Sequence, residues 1–228
     1  MIMEIKTDAL KGEELMLIYK MRGAELSEKK PGLILLLHGI GSNEEDLFRL
    51  ANQFPPDFVI VSARAPYTIS PGKYTWFELG FSNGERIINA EQAEKSRLVI
   101  NTFISQLVDK YDIDPKKVFL GGFSQGGIMS YSVGLTFPKK LAGIFILSSR
   151  LLPEVKPLIR PGEELQSLPI FIAHGKNDPV LPLTYATDAL AYLQTLTNNI
   201  TYHEYDIVHT IGEKELADLV DWIFAKSL

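Results

Sequence analysis

Apolar residues follow two alternating patterns along this chain. Short apolar and β-branched runs predict strands: "LMLIY" (15–19), "LILLL" (33–37), "FVIVS" (58–62), "KVFLG" (117–121), "GIFIL" (143–147), "PIFIA" (169–173) and "ITYHEY" (200–205). Several are apolar at every position, which suits strands covered on both faces in a parallel sheet. Longer stretches between them have helical period. Residues 89–111 place Ile100, Phe103, Ile104, Leu107 and Val108 on one helix face. Residues 182–196 begin at Pro182, a residue favoured in a first helical turn. Residues 213–226 gather Leu216, Leu219, Val220 and Ile223 on one side, and further helices are expected over 44–53 and 125–137. The alternation predicts an α/β fold with an open, mostly parallel sheet and helices on both faces.

Two segments interrupt the alternation. Residues 63–88 are rich in proline, glycine and aromatic side chains, and residues 149–168 contain Pro153, Pro157 and Pro161. Both read as long ordered loops, a common place for function. Neither has the composition of a linker, so residues 1–228 are expected to form one domain. A chain of this length buries roughly 70–75% of its unfolded surface and needs no staple.

Composition narrows the function classes. The net charge is −5, and the lysine pairs at 29–30, 116–117 and 139–140 are scattered rather than gathered on one stripe. That argues against a nucleic-acid partner. There is no cysteine, which excludes a disulfide framework, a thiolate metal site and a cysteine nucleophile. The first residues, "MIMEIKTDALKGEELM", lack the basic start and unbroken apolar core of a signal peptide. The apolar runs are too short to span a bilayer. The expectation is a cytoplasmic protein without integral membrane association.

The stretch "KVFLGGFSQGGIMS" (117–130) carries the candidate chemistry. Gly122-Phe123-Ser124-Gln125-Gly126 is G-x-S-x-G between a predicted strand and a predicted helix. In that context the pattern describes a sharp turn that presents a serine hydroxyl, with glycines where side chains would collide. The alternative is a glycine-rich turn with a packing serine. A serine nucleophile needs a base, and the base needs a carboxylate to orient it. His38 and His174 end strands, and His203 lies within one. His209 alone follows the last strand and precedes the last helix. Asp178, in "HGKNDPVLP", stands on a loop after strand 169–173, whereas Glu204 and Asp206 lie on or beside the final strand. The chain order Ser124, Asp178, His209 is the one such turns require. A developing oxyanion needs two N–H donors. Gln125 is one candidate, and Ile40, flanked by Gly39 and Gly41 in "HGIG", is the other.

Together "LILLLHGIGSNEEDL", "KYTWFEL", "KVFLGGFSQGGIMS", "IFIAHGKNDPVLP" and "VHTIGEKELADLVDWI" resemble the phospholipase/carboxylesterase family of α/β-hydrolases, in order from about residue 30 onward. That family includes acyl-protein thioesterases and lysophospholipases. The resemblance implies a Ser124–Asp178–His209 triad, an oxyanion hole at Ile40 and Gln125, and no large lid domain. It also implies acyl transfer to water from a small-molecule ester or acylated substrate, with no cofactor or metal. Ester, thioester and lysophospholipid remain open as substrates.

Trp76, Phe77, Leu151 and Leu152 are candidates to line an acyl pocket or simply to cover the sheet edge. The aromatic segment covers either a pocket or a homodimer interface. Two departures bear on substrate choice. "LSSRLLP" puts Arg150 where relatives have a different residue, so it either changes the pocket or pairs outward. "DIV" precedes His209 where a glycine-containing segment is usual. Two other readings compete: a non-catalytic binder with this fold, which would typically have lost one triad member, and a peptidase or amide hydrolase sharing the same turn.

Overall fold

The computed structural model describes residues 15–25, 29–82 and 85–227. Most of the N-terminal stretch read above for targeting signals therefore lies outside the described residues. Along the chain the elements are β1 (Tyr19–Arg22), β2 (Gly32–Leu37), α1 (Glu44–Phe48), β3 (Phe58–Ala63), β4 (Tyr67–Ser70), β5 (Lys73–Thr75), β6 (Leu79–Ser82) and β7 (Glu85–Ile88). They continue with α2 (Ala90–Lys110), β8 (Val118–Phe123), α3 (Gln125–Thr136), β9 (Gly143–Leu147), α4 (Glu163–Ser167), β10 (Ile170–Gly175), α5 (Thr184–Leu193), β11 (Ile200–Tyr205) and α6 (Glu213–Ser227).

Seven strands form one sheet in the order β1-β3-β2-β8-β9-β10-β11. β1 runs antiparallel to β3, and every other neighbouring pair is parallel. The chain leaves β2 for β3 on one side and returns through α2 to β8 on the other. The carboxyl ends of β2 and β8 thus flank a topological switch point, where open α/β sheets bind ligands.

The unbroken apolar strands are explained by two separate cores. In β2, Leu33, Leu35 and Leu37 face a layer containing Phe103 and Leu107 of α2 and Ala186 and Leu193 of α5. Ile34 and Leu36 face the other layer, with Leu47 of α1 and Leu219, Trp222 and Ile223 of α6. Each such side chain contributes about 1.5–3 kcal/mol by leaving water.

Four expectations change. Residues 149–168, expected as a loop, contain a 3₁₀ turn at Pro153–Leu158 and the short helix α4. The first strand is Tyr19–Arg22, not 15–19. Leu17 is buried, but Met16 and Ile18 are half-exposed ahead of the strand. The strand is held by Arg22, whose guanidinium donates to the carbonyls of Ala51, Phe54, Pro55 and Phe58. The helix expected over 44–53 stops at Phe48, and a short 3₁₀ turn follows at Ala51–Gln53. Residues 63–88 are not a loop: they fold into hairpins β4–β5 and β6–β7. Pro71 and Gly72 form the two-residue turn of the first, with Gly72 at φ 76°. Among the described residues no helix is long and apolar enough to cross a membrane.

Two buried polar arrangements fix the elements that meet at the switch point. Gln125, first in α3, accepts from the Trp76 amide through Oε1 (2.9 Å) and donates through Nε2 to the Phe77 carbonyl (2.7 Å). At the start of α6, Glu215 is fully buried and accepts from the Gly212 amide (3.0 Å), a helix-capping bond. Among the described residues its second oxygen has no hydrogen-bond partner. Burial pushes the Glu215 carboxyl from its ordinary 4.5 up to about 7, against the opposing pull of the Gly212 bond.

Both arrangements make measurable predictions. Gln125→Ala leaves the Trp76 N–H unpaired and the Phe77 carbonyl with the Thr75 hydroxyl alone, and chemical denaturation should show a loss of about 1–3 kcal/mol. A carboxyl whose folded pKa lies above its unfolded value stabilises the fold only where it is protonated, so its contribution is lost as pH rises from 4.5 through about 7. Glu215→Gln retains an acceptor for Gly212 without the buried charge. Its stability relative to the parent chain should improve by on the order of 2 kcal/mol between acid and mildly alkaline pH in urea titrations. An unchanged difference across that range would contradict this account.

Candidate active site

Ser124 stands between β8 and α3 at φ 54° and ψ −117°, a conformation that L-residues rarely hold. Three hydrogen bonds fix it. Its amide donates to the Leu147 carbonyl (2.9 Å), and its carbonyl accepts from Ser149 Oγ (2.7 Å) and from the Ile128 amide (3.1 Å). The glycines answer to neighbouring backbone. A Cβ on Gly122 would lie 2.5 Å from the Leu37 carbonyl oxygen and 2.6 Å from Gly126 C. A Cβ on Gly126 would overlap the same Leu37 carbonyl and come within 2.8 Å of that of His38. The turn is therefore pressed directly against β2, and only glycine fits.

The structure brings Ser124, His209 and Asp178 into one hydrogen-bonded chain. His209 Nε2 lies 3.0 Å from Ser124 Oγ, and His209 Nδ1 lies 2.6 Å from Asp178 Oδ2. The Phe123 ring packs 4.7 Å from the imidazole, centroid to centroid. Asp178 comes from the turn after β10, and its Oδ1 accepts from the amides of Val180 and Leu181, both at 2.8 Å. Burial alone raises this carboxyl. The bond from His209 and the two amides outweigh it and hold Asp178 below the ordinary carboxylate range.

The other candidates are engaged elsewhere. His38 accepts from the Ala65 amide at Nε2 (3.1 Å), so Nδ1 donates to the Gly39 carbonyl (2.7 Å). Burial lowers its pKa, against that backbone bond. His174 Nε2 donates to the Leu181 carbonyl (2.8 Å), bracing the turn that carries Asp178. His203 packs beside Phe171 and Tyr205 on the sheet. Glu204 accepts from the Tyr202 hydroxyl, and Asp206 pairs with Lys176.

Ile40 and Gln125 flank Ser124, and neither amide donates to a backbone acceptor among the described residues. The Ile40 turn abuts Ser124: a Cβ on Gly39 would sit 3.5 Å from that of the serine. The same turn is bonded to β5 through the Gly41 amide and Tyr74 carbonyl (2.8 Å) and through the Tyr74 amide and Ser42 carbonyl (2.9 Å). The segment 63–88 thus buttresses both amides, through Tyr74 on one side and the Gln125 side chain on the other.

A cavity of about 460 Å³ opens at Ser124. Ile40, Phe77, Leu79, Ile128 and Val180 give it apolar walls, and Arg150 and Tyr185 complete one side. Of the four residues weighed as acyl-pocket walls or as cover for the sheet edge, Phe77 lines this cavity. Trp76 does not. It is fully buried, its indole N–H donates to the His38 carbonyl (2.9 Å), and its own carbonyl accepts from Ser96 (2.5 Å). Leu151 and Leu152 belong to the core on the α2–α3–α5 side. The sequence leaves pocket wall and packing cover both open for these large apolar side chains, and the three others satisfy the core and the indole N–H first. Sequence reading also missed Tyr74 and Ile128, which carry no chemical signature of their own.

A larger polar depression of about 630 Å³, around Gln166 and 194–199, lies at the opposite end of the sheet, where β10 and β11 begin. It holds none of the groups above. Among the described residues no three His, Asp or Glu side chains converge as metal ligands.

The family model for phospholipase/carboxylesterase matches residues 24–226. An acyl-protein thioesterase 1 of Kluyveromyces lactis is 27% identical over 219 residues, covering 89% of this chain and 95% of the relative. That of Debaryomyces hansenii is 28% identical, covering 91% and 96%. Among solved structures, the esterase PE8 superposes with a TM-score of 0.78 at 27% identity, over 92% of this chain and 98% of its own. A Bacillus cereus carboxylesterase shares the fold with a TM-score of 0.76 at 21% identity, over 92% and 95%. With a mostly parallel sheet, a strained serine at its switch point and a match spanning nearly the whole described chain, this protein belongs to the phospholipase/carboxylesterase family of α/β-hydrolases and is a hydrolase.

Proposed function

We propose that the chain is a single-domain serine esterase that transfers an acyl group to water through a covalent intermediate on Ser124. The observation that carries this reading is the Oγ···Nε2 and Nδ1···Oδ2 chain, at 3.0 and 2.6 Å, opening onto an apolar cavity. The relatives named acyl-protein thioesterases extend the substrate class to thioesters.

In this mechanism His209 takes the proton of Ser124 as the oxygen attacks the acyl carbonyl. Asp178 fixes the imidazole with Nδ1 protonated and stabilises the imidazolium. The amides of Ile40 and Gln125 receive the oxyanion. The imidazolium gives its proton to the departing alcohol or thiol. His209 then deprotonates a water that attacks the acyl-enzyme, and the acid is released. Holding Asp178 below its ordinary range favours the ionised carboxylate that faces Nδ1. The amide-bonded Oδ1 prevents the carboxylate from rotating away.

A fluorophosphonate probe and p-nitrophenyl esters of graded acyl length test the proposal. Labelling should fall on Ser124, and Ser124→Ala should lose labelling and about 10⁴-fold or more in kcat. Asp178→Asn should cost about 10³–10⁴-fold through the wrong imidazole tautomer. On the acid side kcat/KM should fall about tenfold per pH unit, because one base must be neutral. A folded chain that neither labels nor turns over any ester would sink the proposal and leave a binder with this fold.

A further inference from the structure

We propose that Arg150 is a specificity determinant of the cavity at Ser124, and that it receives an oxyanion, carboxylate or phosphate, carried by the substrate away from the scissile carbonyl. The inference rests on the esterase reading above and names its substrate class.

Backbone geometry brings Arg150 to the site. β9 ends at Leu147, the Ser148 amide donates to the Ala173 carbonyl (2.9 Å), and Ser149 Oγ bonds the Ser124 carbonyl (2.7 Å). The next residue therefore emerges beside the serine, half-buried and lining the cavity. Its guanidinium stands over the Tyr185 ring, 5.5 Å from Cζ to centroid. No carboxylate or carbonyl partners it among the described residues. The contrast with its fellows is informative. Arg49, Arg64 and Arg97 pair with Asp46, Glu44 and Glu94, while Arg22 and Arg160 donate to carbonyls.

Among the described residues no acidic side chain lines the cavity. Its walls are otherwise largely apolar, so the half-buried cation has the Tyr185 ring face but no anion to offset its lost hydration. Attraction to a ring face occupies none of the guanidinium N–H donors. Those donors match an oxyanion bidentately. The chain as a whole carries −5, so long-range attraction of anions does not supply this preference. It has to arise locally, at Arg150.

The test compares kcat/KM for matched neutral and anionic substrates. p-Nitrophenyl butyrate against the mono-p-nitrophenyl ester of glutaric acid places the oxyanion on the acyl side. A monoacylglycerol against its lysophosphatidic acid places it on the leaving group. The parent chain should prefer the anionic member of one pair, and that pair identifies the side. Arg150→Gln should reduce the preference about 10- to 100-fold, chiefly through KM. Arg150→Lys, which keeps the charge but not the fork, should retain part of it.

An absent preference in both pairs, or one that survives Arg150→Gln, overturns the assignment even while neutral esters are cleaved. If no ester is cleaved, the esterase reading fails separately. Calorimetric titration of Ser124→Ala with glutarate and with inorganic phosphate then decides. Saturable binding that a second substitution, R150Q, removes supports Arg150 as the anion site, and its absence overturns it.

Discussion

Everything at the switch point depends on how closely the turn after β8 approaches β2. The Leu37 carbonyl occupies the space that a side chain on Gly122 or Gly126 would need. That contact forces the two strand ends together, so the Ile40 turn and the first amide of α3 come to flank one serine. The strained φ of Ser124 follows from it. The chain must turn sharply enough to enter α3 without leaving the sheet. Conformational strain of order 1–3 kcal/mol is held by bonds from Ser149 and Ile128 and to Leu147.

Around this contact the polar groups form a hierarchy. Asp178 is bonded to two amides of its own turn before it meets His209, and His174 braces that turn through the Leu181 carbonyl. The carboxylate is thus oriented independently of the imidazole it receives. On the other side the Gln125 side chain and Tyr74 tie the two flanking amides to the segment that contains β5. Trp76 completes that tie, with its indole on His38 and its amide on Gln125. The result is two firmly tied backbone amides beside a cavity whose walls are chemically plain except at Arg150.

The strands and helices were legible because burial on both faces leaves an unmistakable record, as in "LILLL" and "GIFIL". The Ser–Asp–His order was legible for a related reason: each residue stands on a turn after a strand, and such turns share one edge of a parallel sheet. Less was legible where stability comes from a distant partner. The hairpins in 63–88 are short and carry no long alternation. β1 forms at Tyr19–Arg22 because Arg22 finds four carbonyls from residues 51 to 58, a contact without local trace.

Periodicity, chain order and glycine placement are local properties, so the α/β class, the family and the three residues that meet are all readable from the chain. What Trp76, Leu151, Leu152 and Arg150 face depends on the assembled fold. A large side chain near a site has the same local sequence whether it lines the cavity or fills the core. Trp76 goes inward because its indole N–H finds the His38 carbonyl there. Arg150 reaches the cavity because Ser149 is bonded to the turn that holds Ser124. Direction of this kind is set by partners far away in the chain, and only the assembled fold contains them.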